Sequence, residues 1–488
     1  MFSTLLRSND YDRRFWIFIT AATCLRLIVA FFLEPAPQET YYWNYTQHPA
    51  LSYFDHPPIA AYLIRFFTEL FGDNQFALHF TAVFISIILS ITMYRFLADL
   101  FGKRVAFWSV LATSTAFIFA LGSIIITPDG PLLLFWMLFM MSFYRAVKEN
   151  TLKWWLIGGL FLGLALSSKY TAVFAGFGAM IYLAIGPERR KYLSSSGPYL
   201  MIAAAMLVFL PVIVWNVQND FASFQFQTGR RAAEAVRFRF DYLGAFIGIQ
   251  FAMLGLFLMP AFIWGVVKAI KLIKNPVFQF FLCFIIPLII FFGALAPWVY
   301  IKMNWIAPAY LSGAVLAVYF VFDSKSKRWL NYSKYALIFS IFLTISAHIL
   351  IFIPAIGLGK ADTIHGWSEL AVRVQDVRNK MNSFEEPFIC GYEYKTASEL
   401  KFHLPNHPEI VSNNIVGENG LAYDYWCEPD TLIGRDCIFV YDSRYRFNGR
   451  LGKYFQRVER DGILTINRGN KKITDYYIYR CYNYRGAK

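Results

Sequence analysis

The feature that most constrains this chain is a recurring one: long apolar runs with almost no charge inside them, separated by short polar gaps. They fall at 15–33, 76–98, 105–122, 131–147, 154–168, 171–186, 198–215, 242–267, 276–295, 305–322 and 335–355. A helix needs about 20 apolar residues to cross a bilayer. Only elements that satisfy their own backbone hydrogen bonds can do so. The pattern therefore predicts a multi-pass α-helical membrane protein of about eleven spans. Composition agrees, with 57% hydrophobic and 16% charged residues, against about 25% charged in soluble domains. Several runs are short, and the 105–147 and 154–186 hairpins read either as paired spans or as re-entrant segments. The first run has no small-residue cleavage site after it and is expected to be retained as a span.

The net charge of +14 would suit nucleic acid binding, but its distribution argues for topology instead. With the N-terminus inside, every inner gap is basic: Arg13 and Arg14, Lys103 and Arg104, Arg145 and Lys148, Arg189 to Lys191, Lys268 to Lys274, Lys325 to Lys334. The outer gaps 34–57 and 122–131 contain no Lys or Arg. This is the positive-inside bias, and no nucleic acid partner is expected. Basic residues on the outer side are then exceptions: Lys169, Arg230, Arg231, Arg237, Arg239 and Lys302. Lipid headgroups or local carboxylates would explain them, and so would an anionic substrate.

Near residue 356 the composition turns polar, which divides the chain into a membrane domain over 1–355 and an outer soluble α/β domain over 356–488. Cys437–Tyr441 and Gly462–Ile466 have the β-branched and aromatic content of strands, and Ser368–Met381 has helical spacing. Four of the six cysteines lie there, at 390, 427, 437 and 481. An oxidising compartment would permit disulfides, without fixing a pairing.

The first outer gap is chemically the richest. Between Pro35 and Pro58 it gathers Glu39, Asp55, His48 and His56 among Tyr41, Tyr42, Trp43, Tyr45, Tyr53 and Phe54. Aromatic faces with hydrogen-bonding groups suit a sugar ring. An interfacial aromatic belt explains the Tyr and Trp but not the carboxylates and imidazoles. Asp129 follows Pro128 in a turn, an ordinary structural position that gains weight between membranous segments. Lys169 and Lys302 stand at span boundaries, where lysines commonly snorkel but can also meet phosphate as point charges. Arg230 and Arg231 could grip phosphate oxygens in pairs.

In their order, Glu39-Thr40-Tyr41-Tyr42-Trp43, Tyr53-Phe54-Asp55-His56-Pro57-Pro58, Asp129-Gly130-Pro131, Ser168-Lys169-Tyr170, Trp215-Asn216 with Phe226-Gln227, and Lys302-Met303-Asn304-Trp305 make the chain resemble a known family. It is similar to the bacterial protein-mannosyltransferase-like glycosyltransferases, family 39 of the GT-C class, which include the aminoarabinose transferases of lipid A. The resemblance covers roughly residues 10–320, and the outer domain with Ala397-Ser398-Glu399-Leu400 is also similar. It implies a bacterial inner-membrane enzyme with a cytoplasmic N-terminus and a periplasmic C-terminal domain. Such an enzyme moves a sugar from a polyprenyl-phosphate carrier to lipid A or its core, another glycan or a protein. Glu39 is then the expected base, with Asp55 and Asp129 as the other catalytic carboxylates. His56, Lys169, Arg230, Arg231, Lys302 and Tyr42 are expected to bind substrate or phosphate. Many members carry an Asp-Glu pair where this chain has Gln38-Glu39. No cofactor is required. A divalent cation could be held by Glu39, His48, Asp55, His56 and Asp129, although their spacing does not demand one. Two other readings stay open: a transporter or flippase of lipid-linked sugar, and a non-catalytic member.

Overall fold

The computed structural model describes residues 10–234, 237–350, 353, 359–381, 383–445, 447 and 450–487. The chain is a multi-pass membrane protein whose contacts divide it into two compact units. The first comprises Met1–Phe31, His56–Ala60 and His79–His348, and the second Phe32–Asp55, Ala61–Leu78 and Ile349–Lys488. The polar C-terminal segment thus belongs to a unit that also takes in most of the first gap.

The first unit is helical. Among the described residues six helices are long and apolar enough to cross a membrane: Tyr11–Phe32, Gln75–Phe101, Asp129–Glu149, Ser196–Gln218, Pro276–Leu295 and Lys327–Ile349. By length and composition alone these helices do not establish the expected eleven, for three physical reasons. The run over 242–267 is not straight, because helices Phe240–Leu254 and Leu258–Lys271 meet at 101°. Gly255 stands at the corner with φ +106°, a conformation that side chains resist. The run over 105–122 breaks at Ala116, whose extended backbone separates Lys103–Thr115 from Phe117–Gly122. Leu152–Leu166, Tyr170–Ile185 and Ala307–Asp323 are apolar but shorter. At 1.5 Å per residue such lengths fall short of a hydrocarbon core of about 30 Å. Close packing holds the short helices. A Cβ on Gly159 or Gly163 would sit 2.3 Å or 2.6 Å from the carbonyl oxygen of Met201 or Ala205, the small-residue contact that lets membrane helices touch backbone to backbone.

The second unit is built on a five-stranded sheet. Its strands are β1 (Phe388–Gly391), β2 (Ile410–Val411), β3 (Cys437–Asp442), β4 (Phe455–Arg468) and β5 (Lys471–Tyr484), in the order β2-β1-β3-β5-β4. The strands expected at 437–441 and 462–466 lie in β3 and β4. β1 runs parallel to both neighbours, while β3, β5 and β4 are antiparallel. The helix expected over 368–381 is Trp367–Lys380. All six cysteines are free thiols, and Cys390, Cys437 and Cys481 pack in the core of this sheet. The first gap, rich enough in Pro and aromatics to look irregular, contains the buried helix Pro37–Gln47.

Candidate functional site

In the helical unit, the gap over 122–131 and two later turns converge on one ion pair. Asp129 opens the helix Asp129–Glu149 directly after Pro128, where the unpaired N–H groups of a helix start favour a negative charge. Upstream, the fully buried His79 ring contacts the Ile124 carbonyl oxygen at 3.1 Å and holds the approach to this turn. Lys169 has extended backbone between Leu152–Leu166 and the short turn Tyr170–Ala172. Its Nζ donates to Asp129 Oδ1 at 2.7 Å, and Asn304 Nδ2 donates to Asp129 Oδ2 at 2.5 Å. The side chains of the pair are 7% and 14% exposed. A buried ion pair is tolerable when geometry is good and the remaining oxygens are satisfied, and Asn304 meets that second condition. The Asp129 carboxylate therefore fixes the lysine, and Asp129 accounts for one of the three ammonium donors.

The surroundings of this pair are also tied together. The Ile59 N–H donates to the Ser167 carbonyl at 3.2 Å, which anchors the start of Ile59–Phe71 just after His56 to the lysine's turn. His56 itself is half-buried. Tyr170 and Ser223 share a hydroxyl contact of 2.6 Å, and Asn216 Oδ1 accepts from the Phe224 N–H at 3.3 Å. Both contacts seat the helix Ala222–Glu234. Arg230 and Arg231 lie on that helix, but their side chains fall outside the described residues. Arg239 pairs with Asp241 at the surface at 2.6 Å, so a local carboxylate accounts for one of the cations expected on the outer side. Lys302 is exposed, two residues before Asn304.

In the second unit the first-gap carboxylates have distinct surroundings. Pro37 occupies the first turn of Pro37–Gln47 and Glu39 the third helical position. The Glu39 carboxylate turns back to accept the Ala36 N–H at 2.9 Å, one half of a capping box. Glu39 has no exposed surface, whereas Asp55 retains 8%. Tyr41 and Tyr45, one helical turn apart, both donate to Asp55 Oδ1, Tyr41 at 3.0 Å. Burial first, and the Asp55 charge second, push both phenols far above their usual range, so they remain donors. Tyr53 donates to the Tyr45 carbonyl at 2.9 Å, and the Tyr42 ring lies 5.6 Å from both Tyr41 and Tyr45.

The sheet domain supports this helix. Tyr423 OH accepts from Asn44 Nδ2 at 3.1 Å and contacts Ser398 Oγ at 2.8 Å, while the Ala422 N–H donates to Tyr41 OH at 3.3 Å. The His48 ring stacks on Trp426 with 4.4 Å between centroids. Beside it, buried Lys401 donates to Glu409 at 2.5 Å. Burial alone would raise the Glu409 carboxyl, but His48 and Lys401 outweigh it and hold it down to about 2. Glu399 is fully buried, and burial, then Glu34, drives its carboxyl far above the usual range. His403 Nε2 lies 3.2 Å from it.

Of the expected site residues, the structure joins Asp129 to Lys169 and Asp55 to the tyrosines around Tyr42. Asn304, Tyr41 and Tyr45 were not singled out by sequence, although Asn304 belongs to the Lys302–Trp305 motif and the tyrosines have i, i+4 spacing. Among the described residues no three His, Cys, Asp or Glu side chains gather closely enough to hold a metal ion.

Residues 55–215 match the dolichyl-phosphate-mannose-protein mannosyltransferase family. The lipid A galacturonosyltransferase RgtD of Rhizobium johnstonii is 26% identical over 299 residues, 58% of this chain and 60% of that protein. The undecaprenyl phosphate-alpha-4-amino-4-deoxy-L-arabinose arabinosyl transferase of Serratia proteamaculans is 26% identical over 166 residues, 32% of this chain and 29% of that one. The chain thus spans less than two thirds of the curated relatives it matches. The crystal structures of ArnT from Cupriavidus metallidurans, in the apo state and bound to undecaprenyl phosphate, superpose with a TM-score of 0.65 at 13% identity. They cover 95% of this chain and 97% of that one, a likeness of fold. Local sequence similarity and fold along nearly the whole length point the same way: residues 55–215 are similar to the dolichyl-phosphate-mannose-protein mannosyltransferases, and the chain has the GT-C fold of ArnT.

Proposed function

We propose that this protein is a glycosyltransferase of the bacterial inner membrane that moves a sugar from a polyprenyl-phosphate carrier to a glycolipid acceptor, with lipid A or its core as the first candidate. In this reading the N-terminus is cytoplasmic, the C-terminal domain is periplasmic, and transfer takes place at the outer membrane face. The observation that carries the proposal is the ammonium of Lys169, held inside an apolar helical unit by Asp129, which Asn304 fixes from the other side. A carrier phosphate leaves as an anion, and it needs a preorganised cation more than it needs a proton. The basic lower edge of the positive-inside pattern supports the orientation.

Each group then has a defined task. The acceptor hydroxyl oxygen bonds to the anomeric carbon as the bond from that carbon to the phosphate oxygen breaks, which inverts the centre. The hydroxyl proton passes to a carboxylate. Asp55 suits that role better than Glu39, because Glu39 is committed to the Ala36 N–H and has no exposed surface. Lys169 stabilises the departing phosphate, with His56, Lys302, Arg230 and Arg231 as further contacts to it. Tyr42 contributes an aromatic face to the sugar.

The test is mass spectrometry of envelope glycolipids and carrier-linked sugars from cells with the wild-type protein, no protein, and Lys169→Met. One sugar mass lost from a glycolipid in both defective strains, with its carrier-linked donor accumulating, is the expected result. Movement of intact donor across the membrane without a glycosylated product would make the protein a flippase. No change in any glycan would remove the transferase reading.

A further inference from the structure

A second cation lies inside the helical unit, away from the Lys169 pair. Arg26 sits on the first helix, Tyr11–Phe32, and is 6% exposed. Its guanidinium makes one hydrogen bond among the described residues, from Nη1 to Ser86 Oγ at 3.2 Å. His348, on the helix Lys327–Leu350, is close enough for the two groups to feel each other's charge, and its ring contacts the Thr344 carbonyl at 2.7 Å. On that same helix, Ser340 and Thr344 both donate to the Thr115 carbonyl, at 2.6 Å and 2.9 Å. They thereby satisfy the backbone oxygen next to the break at Ala116. One turn before Arg26, Thr23 Oγ1 is buried with no partner among the described residues. A polar seam therefore runs through helices that are otherwise apolar.

Among the described residues the seam contains no negative charge. Asp12 is the one acid in Tyr11–Phe32, and it is taken by Tyr94 and Lys103. Asp99, the one acid in Gln75–Phe101, pairs with Arg145 at 3.2 Å. Lys327–Leu350 contains none, and neither do the next eight residues of the sequence. Burying an arginine at membrane depth without a counter-ion is expensive, and such residues mark sites. Snorkelling does not resolve this one, because a snorkelling head is exposed. Arg26 is six residues from the end of its helix, about 9 Å along the axis, so an anion at headgroup depth need dip only slightly to reach it. A planar guanidinium with several uncommitted N–H groups suits bidentate contact with phosphate oxygens.

We propose that Arg26, flanked by Ser86 and His348, is a binding site for the phosphate headgroup of a membrane lipid. The source is either a phospholipid or the polyprenyl phosphate itself. The site requires only that the protein spans a membrane, and its test reads binding without transfer, so its failure is separable from failure of the transferase reading. The full chain in detergent would be titrated by native mass spectrometry with phosphatidic acid, undecaprenyl phosphate, uncharged diacylglycerol and inorganic phosphate. The same titrations would be run on Arg26→Gln, Arg26→Lys and His348→Gln. Wild type is expected to retain a phosphate-bearing lipid about tenfold more tightly than Arg26→Gln, with Arg26→Lys between them, a smaller loss in His348→Gln, and no change for diacylglycerol. Arg26-dependence with both lipids assigns the site to headgroups in general, and dependence with undecaprenyl phosphate alone assigns it to the carrier. Equal retention by wild type and Arg26→Gln would overturn the proposal. So would inorganic phosphate binding as tightly as the lipids. If Arg26→Gln does not fold, wild-type retention in both Arg26→Lys and His348→Gln would overturn it equally.

Discussion

Asp129 and Asp55 are both nearly buried acids in gaps between apolar runs, yet they are satisfied in opposite ways. Asp129 takes a cation on one oxygen and an amide on the other. Asp55 takes two phenol hydroxyls on one oxygen. The first arrangement keeps a positive charge in an apolar setting, and the carboxylate serves mainly to hold it. The second surrounds a carboxylate with neutral donors that burial keeps protonated, so the negative charge is the feature preserved. One region holds a cation and the other a carboxylate, the two kinds of group that the proposed displacement of a phosphate by a hydroxyl would use.

The sharpest way to break this comparison is to remove the cation. Lys169→Met should lower transfer by about 10²–10³-fold, the usual loss for one preorganised charge-stabilising group. It should also cost about 3–5 kcal/mol of stability, since Asp129 is left buried and unpaired. The double variant Lys169→Met/Asp129→Asn separates the two effects. Its melting temperature should recover while its transfer rate does not. Recovery of both would reduce the pair to a structural element.

Asp55→Asn should come next, with transfer lower by about 10²–10⁴-fold, as for loss of a general base. The two tyrosines can still donate to the amide oxygen, so the fold should hold. Tyr45→Phe removes one of the two donors and should cost about 1 kcal/mol of stability, with a correspondingly small loss of rate. A rate in Asp55→Asn within a few-fold of wild type, measured on folded protein, would transfer the base role elsewhere.

These regions were unequally legible in the sequence. Apolar runs specify helices because lipid allows little else, so the membrane class and the strands of the C-terminal sheet could be read directly. Span number could not. Whether Gly255 bends a run by 101° or leaves it straight depends on tertiary packing, and nothing local marks Ala116 as a break. Asp129 and Lys169 were visible singly as charges in the wrong place, but their pairing joins residues 40 apart. Glu39 was ambiguous in the sequence for a physical reason. An acid three residues after a helix start is as good a cap as a base, and one sequence position fits both roles. Tyr41 and Tyr45 were obscured by the abundance of aromatics around them.

The pH dependence of stability offers a finer test of the second unit. Burial and then Glu34 raise the Glu399 carboxyl, with a Thr40 hydrogen bond opposing the effect. His403 faces it, and burial lowers that imidazole. A carboxyl whose folded value lies above its unfolded one contributes stability in acid. That contribution is lost as pH rises from about 4.5 towards the folded value. Glu399→Gln removes the titration. The melting temperature of the variant should therefore gain on that of wild type between pH 5 and pH 8, by about 2–4 °C for each 1 kcal/mol relieved. Parallel curves would show that Glu399 keeps its charge in the fold.

The smallest expected effect tests the reassignment of Glu39. Glutamine can accept the Ala36 N–H as glutamate does, since either residue completes that half of a capping box. Glu39→Gln should therefore leave stability within about 0.5 kcal/mol and transfer within a few-fold, whereas Glu39→Ala should cost about 1 kcal/mol through the lost cap. If Glu39 is the base, the order reverses in one respect: Glu39→Gln is as inactive as Glu39→Ala while still melting like wild type. The two variants, each measured for melting and for transfer, decide whether this buried acid holds the helix that carries Tyr41 and Tyr45 or takes the proton itself.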